Sequence, residues 1–123
     1  MTDQTTTLEE LRLRVAEFVK ARQWEMFHSP KNLSMALAIE AAELMEHFQW
    51  ISMEASREIV SDQEKHQAVG EELADVICYA LALANALQID ISTTVQAKMT
   101  KNATKYPVEQ YQRRYGPEDQ QSD

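Results

Sequence analysis

Four carboxylates fall on helix faces that should be buried, and that conflict limits what this chain can fold into. Glu40 and Glu43 form one pair, Glu-Ala-Ala-Glu, and Glu72 and Asp75 form a second, Glu-Leu-Ala-Asp. Both lie in segments with helical spacing of apolar residues, where positions three or four apart share a face. In the first segment that face reads Leu33, Ala36, Leu37, Glu40, Glu43/Leu44, His47, Trp50/Ile51. In the second it reads Val69, Glu72, Asp75/Val76, Tyr79, Leu83, Ala86. An isolated carboxylate in a buried stripe is costly unless it is paired, protonated or bound to a cation. Four converging acids would repel one another. A hard divalent cation such as Mg²⁺, which takes oxygen ligands and keeps waters and phosphates in its shell, relieves that repulsion. The competing reading is that these are ordinary solvated acids on exposed helix faces.

The rest of the chain predicts an all-α frame. Among 123 residues there are two glycines and three prolines, and no run of alternating apolar residues bounded by turn signals. The length fits a single domain, 1–123, small enough to lean on partners. A net charge of −8, from 12 Lys and Arg against 20 Asp and Glu, makes a nucleic acid polymer a poor partner. Small phosphorylated ligands held through a metal stay open. No signal peptide and no apolar run long enough to span a bilayer is present, so no membrane association is expected. The single cysteine, Cys78, cannot close an intramolecular disulfide, which fits a cytoplasmic protein. Its apolar neighbours predict a small buried packing residue.

Along the chain, Thr7 and Glu10 form a capping-box pattern for a first helix reaching about Gln23, with Leu8, Leu11, Val15, Phe18 and Val19 on its apolar face. Residues 24–32 break that period and read as an ordered loop, with Asn32 as the cap of a second helix running to about Ser52. A third helix is expected over about Arg57 to Gln88, interrupted near Ser61-Asp62 or at Gly70, since glycine weakens a helix by about 1 kcal/mol. Asp90 or Ser92 starts a fourth helix that ends before Tyr106-Pro107. Residues from Gly116 onward read as a flexible acidic tail.

Against the acidic background, Lys98, Lys101, Lys105, Arg113 and Arg114 cluster with one acid, Glu109. They are either cations suited to a helix C-terminus or donors for phosphate oxygens. Trp24, Phe27, Trp50 and Tyr79 are core residues or flat faces for a nucleobase, where stacking contributes about 1–3 kcal/mol per base. His28 could read a base edge or cap its loop. His47 falls one turn after Glu43, within reach of a carboxylate, and His66 reads as solvent-facing.

Taken together, these residues carry a resemblance. Glu40-x-x-Glu43, residues 44–71, then Glu72-x-x-Asp75 resembles the metal-binding signature of the MazG-like all-α nucleoside triphosphate pyrophosphohydrolases. Trp24-Glu-Met-Phe-His28, Lys31-Asn-Leu33, His47-Phe-Gln-Trp50, Glu71-Glu-Leu-Ala-Asp75-Val, and Lys98-Met99 with Asn102 and Tyr106-Pro107 are similar to the dCTP pyrophosphatase branch. Two departures stand out. Ile39 occupies a position where many relatives carry a glutamate, and Ala103, Thr104 and Lys105 replace a more arginine-rich stretch.

The resemblance implies a four-helix-bundle-type domain with its core over about 8–107. It implies Mg²⁺-dependent hydrolysis of a dNTP, with dCTP or a modified dCTP favoured, to the monophosphate and pyrophosphate, as nucleotide-pool house-cleaning. Mn²⁺ is the alternative ion. Glu40, Glu43, Glu72 and Asp75 would hold the metal, and one of them or Glu71 would activate the water. Trp24, His28, Trp50 and Tyr79 would form the base pocket, with Lys98, Lys101, Asn102 and Lys105 near the phosphates or sugar. A dUTPase-like or phosphoribosyl-ATP pyrophosphohydrolase-like enzyme and a non-enzymatic helical module remain the alternatives. Apolar residues beyond one narrow face (Met35, Ile39, Met45 and Phe48, then Ile77, Leu81 and Leu87) predict a homo-oligomer. The resemblance makes that a homotetramer, with a dimer next.

Overall fold

Side-chain caps set the start of every major helix. Thr7 Oγ1 accepts from Glu10 N–H at 3.1 Å while Glu10 Oε2 accepts from Thr7 N–H at 2.6 Å, completing the reciprocal cap of α1 (Leu8–Ala21). In the computed structural model, which describes residues 1–114, a 3-10 turn (Glu25–Phe27), α2 (Pro30–Glu46) and α3 (Met53–Glu58) follow. A second 3-10 turn (Ile59–Ser61), α4 (Gln63–Leu87), α5 (Ile91–Lys105) and α6 (Val108–Tyr111) complete the order. No strand occurs among the described residues. The tail expected from Gly116 onward lies outside them. The chain divides into two compact units, Met1–Gln88 and Ile89–Asp123.

Two boundaries differ from the sequence expectation, each for a capping reason. Ser29, not Asn32, opens α2: Ser29 Oγ accepts from Asn32 N–H at 3.1 Å, and Pro30 takes the first helical position, where its missing N–H costs nothing. Asn32 instead donates its Nδ2 to Phe27 O at 3.1 Å, tying the preceding loop down. Helix α2 stops at Glu46 rather than near Ser52, and tight bonds such as Phe48 N–H to Met45 O, 2.9 Å, continue as turns. Ser52 is a beginning, because its hydroxyl accepts from Ala55 N–H at 3.1 Å to start α3. The break before α4 falls at Ser61-Asp62, with Asp62 as cap accepting from Lys65 N–H. Gly70 sits inside an unbroken helix. Asp90 caps α5 as expected.

In the first unit α2 packs most extensively on α4, and α1 packs on α4 as well. Leu33 is 1% exposed, and Ile59, Leu81, Ala82 and Ala84 join it in the core. One polar clasp joins α1 to α4. Arg12 Nε donates to Asn85 Oδ1 at 3.0 Å, and Asn85 Nδ2 donates back to Arg12 O at 3.1 Å. Val15 shares cavities with Ala82, and Phe18 and Val19 share one with Cys78 and Tyr79. Numbers rise along α1 as they fall along α4, so the two helices run antiparallel. Met35, Ile39 and Met45 on α2 and Ile77 and Leu87 on α4 are exposed. Cys78 is exposed too, against the expectation of a buried packing residue. The position faces the α1 side of α4, where a cavity rather than packed side chains meets it. In the second unit, the spacing of Lys98, Lys101, Asn102 and Lys105 puts them on one face of α5. No single helix among the described residues is long and apolar enough to cross a membrane.

Candidate active site

The packing of α2 on α4 brings the two acidic pairs together. Glu40 and Glu72 lie half-buried at the seam, while Glu43 and Asp75, one turn further along, are exposed. Ligand-type oxygens of Glu40, Glu43 and Glu72 all lie within 4.8 Å of one another. Asp75 is outside that group of three, although its charge still acts on Glu40. The Glu40 carboxyl is pushed from its ordinary 4.5 up to about 7. The causes are, first, a carboxyl–carboxylate hydrogen bond with Glu43, then desolvation, then the charges of Glu43 and Asp75 and a contact with Glu72. Glu40 Oε2 and Glu72 Oε2 are shut off from solvent with no hydrogen-bond partner. Buried oxygens without donors, crowded by like charge, form a donor set that fits a hard divalent cation.

Glu71 is exposed on the neighbouring position of α4 and accepts from Gln67 Nε2 at 3.4 Å. It is not part of the close group.

Beside the acids, α1, the loop after it and α4 border a half-open cavity of about 350 Å³. Trp24, His28 and Tyr79 line it together, as does Asp75, the acid whose charge reaches Glu40 from outside the close group. The Trp24 ring meets Phe18 edge to face, 5.7 Å between centroids, and His28 lies 6.3 Å away at a tilt of 45°. The Arg22 guanidinium covers Phe18 at 3.6 Å from the ring centroid. Burial, and then the Asp75 charge, raise the Cys78 thiol above its ordinary value, the opposite of what a nucleophilic cysteine needs.

Trp50 is not among the residues lining this cavity and is 86% exposed in the turn after α2. Lys98, Lys101, Asn102 and Lys105 belong to the second unit, where Lys105 Nζ sits 5.3 Å over the Tyr106 ring. Sequence reasoning missed Phe18 and Arg14 as cavity residues. Their spacing of four on α1 was a signal that they share a face, but which face met α4 depended on the Arg12–Asn85 clasp.

The chain is similar to known proteins. The MazG-like family model matches residues 35–116. The chain is 41% identical over 102 residues to dCTP pyrophosphatase 1 of Bos taurus, covering 83% of this chain and 60% of that protein. The Homo sapiens protein of that name is 43% identical, over 82% of this chain and 59% of its own length. The chain thus spans about three fifths of these curated relatives. A solved structure, a pyrophosphatase from Archaeoglobus fulgidus, superposes with a TM-score of 0.76 at 38% identity, covering 87% of this chain and 98% of that one. The chain belongs to the MazG-like family.

Proposed function

We propose that this chain is a nucleoside triphosphate pyrophosphohydrolase that splits a dNTP, with dCTP or a modified dCTP favoured, into dNMP and pyrophosphate. One observation carries the reading. Three crowded carboxylates, of which Glu40 and Glu72 carry orphaned oxygens, sit beside Asp75, whose charge acts on Glu40 and which lines a cavity with Trp24, Phe18 and Tyr79. An aromatic-walled cavity suits a flat base, and an acidic cluster at its edge suits the metal that a triphosphate brings or requires. The relatives named dCTP pyrophosphatase and pyrophosphatase support the same chemistry.

In this reading Glu40, Glu43, Glu72 and Asp75 hold Mg²⁺, or Mn²⁺ in its place. A bound cation supplies charge neutralisation for phosphate oxygens and a more acidic water. Water attacks the α-phosphorus; its oxygen forms the new P–O bond as the α–β bridging bond breaks and pyrophosphate leaves. Glu43, the exposed member of the close group, accepts the proton, with Glu71 the alternative. Trp24, His28 and Tyr79 orient the base while their ring surfaces exclude water from it. Trp50 and the face of α5 carrying Lys98, Lys101, Asn102 and Lys105 serve the nucleotide in an assembled oligomer, a homotetramer or otherwise a dimer. The exposed Met35, Ile39, Met45 and Ile77 support assembly, because a small domain rarely leaves so much apolar surface in water.

The test is a screen of dNTPs, NTPs and phosphoribosyl-ATP for released pyrophosphate, with Mg²⁺ and with chelator. Metal-dependent release from dCTP above the others is expected. Preference for dUTP or phosphoribosyl-ATP would reassign the substrate, and no release from any of them would leave a helical binding module.

A further inference from the structure

Arg14 is the one cation among the residues lining the cavity that holds Trp24, Tyr79 and Asp75. Its position along the cavity follows from the register of α1 on α4. The Arg12–Asn85 clasp sets residues 12 and 85 level. Because the helices run antiparallel, Arg14 is level with residue 83 of α4. Asp75 lies eight residues before that level, about 12 Å along the axis at 1.5 Å per residue. The cavity therefore has an acidic end and a cationic end, with Phe18, Trp24 and Tyr79 between them. A nucleotide whose phosphates gather at the acids and whose base enters the aromatic section presents its far edge to Arg14.

The chemistry at that edge is selective. A guanidinium offers only donors, in a planar fork, and accepts nothing. Cytosine presents two adjacent acceptors, O2 and N3, which match the fork. Thymine and uracil place an N–H at position 3, so a donor would face a donor. Failure to pair a buried or confined polar group discriminates more strongly than a change of size in an apolar wall. Arg14 is also free to turn inward. It is exposed, and its Nη1 makes a weak contact with Met1 Sδ at 3.9 Å, which a carbonyl oxygen would displace.

We infer that Arg14 is a base-specificity residue that selects a pyrimidine with adjacent acceptors at O2 and N3. This rests on the proposed pyrophosphohydrolase reading, so the experiment separates the two. Arg14→Met keeps the helix-forming stem and removes every donor. Pyrophosphate release is measured for wild type and variant with dCTP, dTTP and dUTP, with helicity checked by circular dichroism. The variant should lose about tenfold or more in kcat/KM for dCTP, mainly through KM, with dTTP and dUTP nearly unchanged. Arg14→Lys, a point donor without the fork, should fall between. An unchanged dCTP-to-dTTP ratio in Arg14→Met, with an active wild type, overturns the Arg14 assignment and leaves the function standing. A uniform loss across all three nucleotides also overturns it, since that marks a phosphate or structural role. A wild type inactive on every nucleotide overturns both.

Discussion

Helix α4 meets polar side chains at two levels, and the fold treats them in opposite ways. Near its C-terminal end, Asn85 is fully engaged: it accepts from Arg12 Nε and donates to Arg12 O, beside the buried Leu81, Ala82 and Ala84. More than three turns earlier, Glu72 is pressed against Glu40 and Glu43 with an oxygen that nothing satisfies. A reciprocal pair costs little to bury and specifies a register. Orphaned carboxylates cost a great deal and specify nothing about packing, so their retention points to a ligand. The lesson is that satisfied polarity here reads as architecture, and unsatisfied polarity reads as chemistry.

The contrast breaks most visibly at the acids. Glu43→Gln or Asp75→Asn should lower turnover by about a hundredfold or more, the scale expected when charge stabilisation of a reacting group is removed. Removing a charge there relieves repulsion, so the helical content should persist and the metal-free melting temperature should hold or rise. Pyrophosphate release and circular dichroism on the same samples check both halves. Near-normal turnover in either variant would refute the metal-site proposal.

The opposite outcome is expected at the clasp. Asn85→Ala removes two hydrogen bonds at the α1–α4 contact and should destabilise the chain by about 1–3 kcal/mol, read from denaturant midpoints. The proposed metal dependence of turnover should be the same in this variant as in the wild type at low temperature. If stability is unaffected, the clasp does not fix the register, and the placement of Arg14 against α4 loses its basis.

This difference also explains what the sequence could disclose. Local signals were readable: Thr7 with Glu10, the break at Ser61-Asp62 and the Asp90 cap all act within four residues of themselves. The acidic pairs were readable because they violate a helical stripe. Ser29 and Ser52 were passed over because a serine beside a helix is a cap or an ordinary loop residue depending on backbone conformation. The parts that depend on which face of α1 meets α4 were hidden. Phe18 read as core yet walls the cavity, Cys78 read as buried yet is exposed, and Arg14 showed only that it shares a face of α1 with Phe18, not what that face meets.

A smaller effect sharpens the reading of the acids through pH. The Glu40 carboxyl stands at about 7 in the folded chain against an ordinary 4.5. The folded state therefore holds more protons than the unfolded one between those values, and metal-free stability rises as pH falls through that window. Under the metal-site proposal, cation binding to the ionised cluster acts the other way. Melting temperatures of wild type and Glu40→Gln, compared at about pH 8 and about pH 5.5 in chelator, should differ more at the higher pH, with the wild type lower there. Saturating Mg²⁺ should shrink that deficit. A gap independent of pH would mean that Glu40 does not hold the shared proton.

The smallest expected effect is spectroscopic, and it separates the two tryptophans. Trp24 lines the cavity in a T-shaped contact with Phe18, whereas Trp50 stands 86% exposed in the turn after α2. If the cavity receives the base, stacking should alter Trp24 emission and leave that of Trp50 to report on assembly. In a Trp50→Phe chain, whose remaining tryptophan is Trp24, a non-hydrolysable dCTP analogue with Mg²⁺ should change the emission. In a Trp24→Phe chain, emission should instead follow protein concentration as the oligomer forms, in step with light scattering that gives several times 14.1 kDa. A Trp24 signal indifferent to the analogue would return that ring to plain packing. A fully active monomer with an unchanging Trp50 signal would refute assembly, and with it any need for Trp50 or α5 to serve a neighbouring copy.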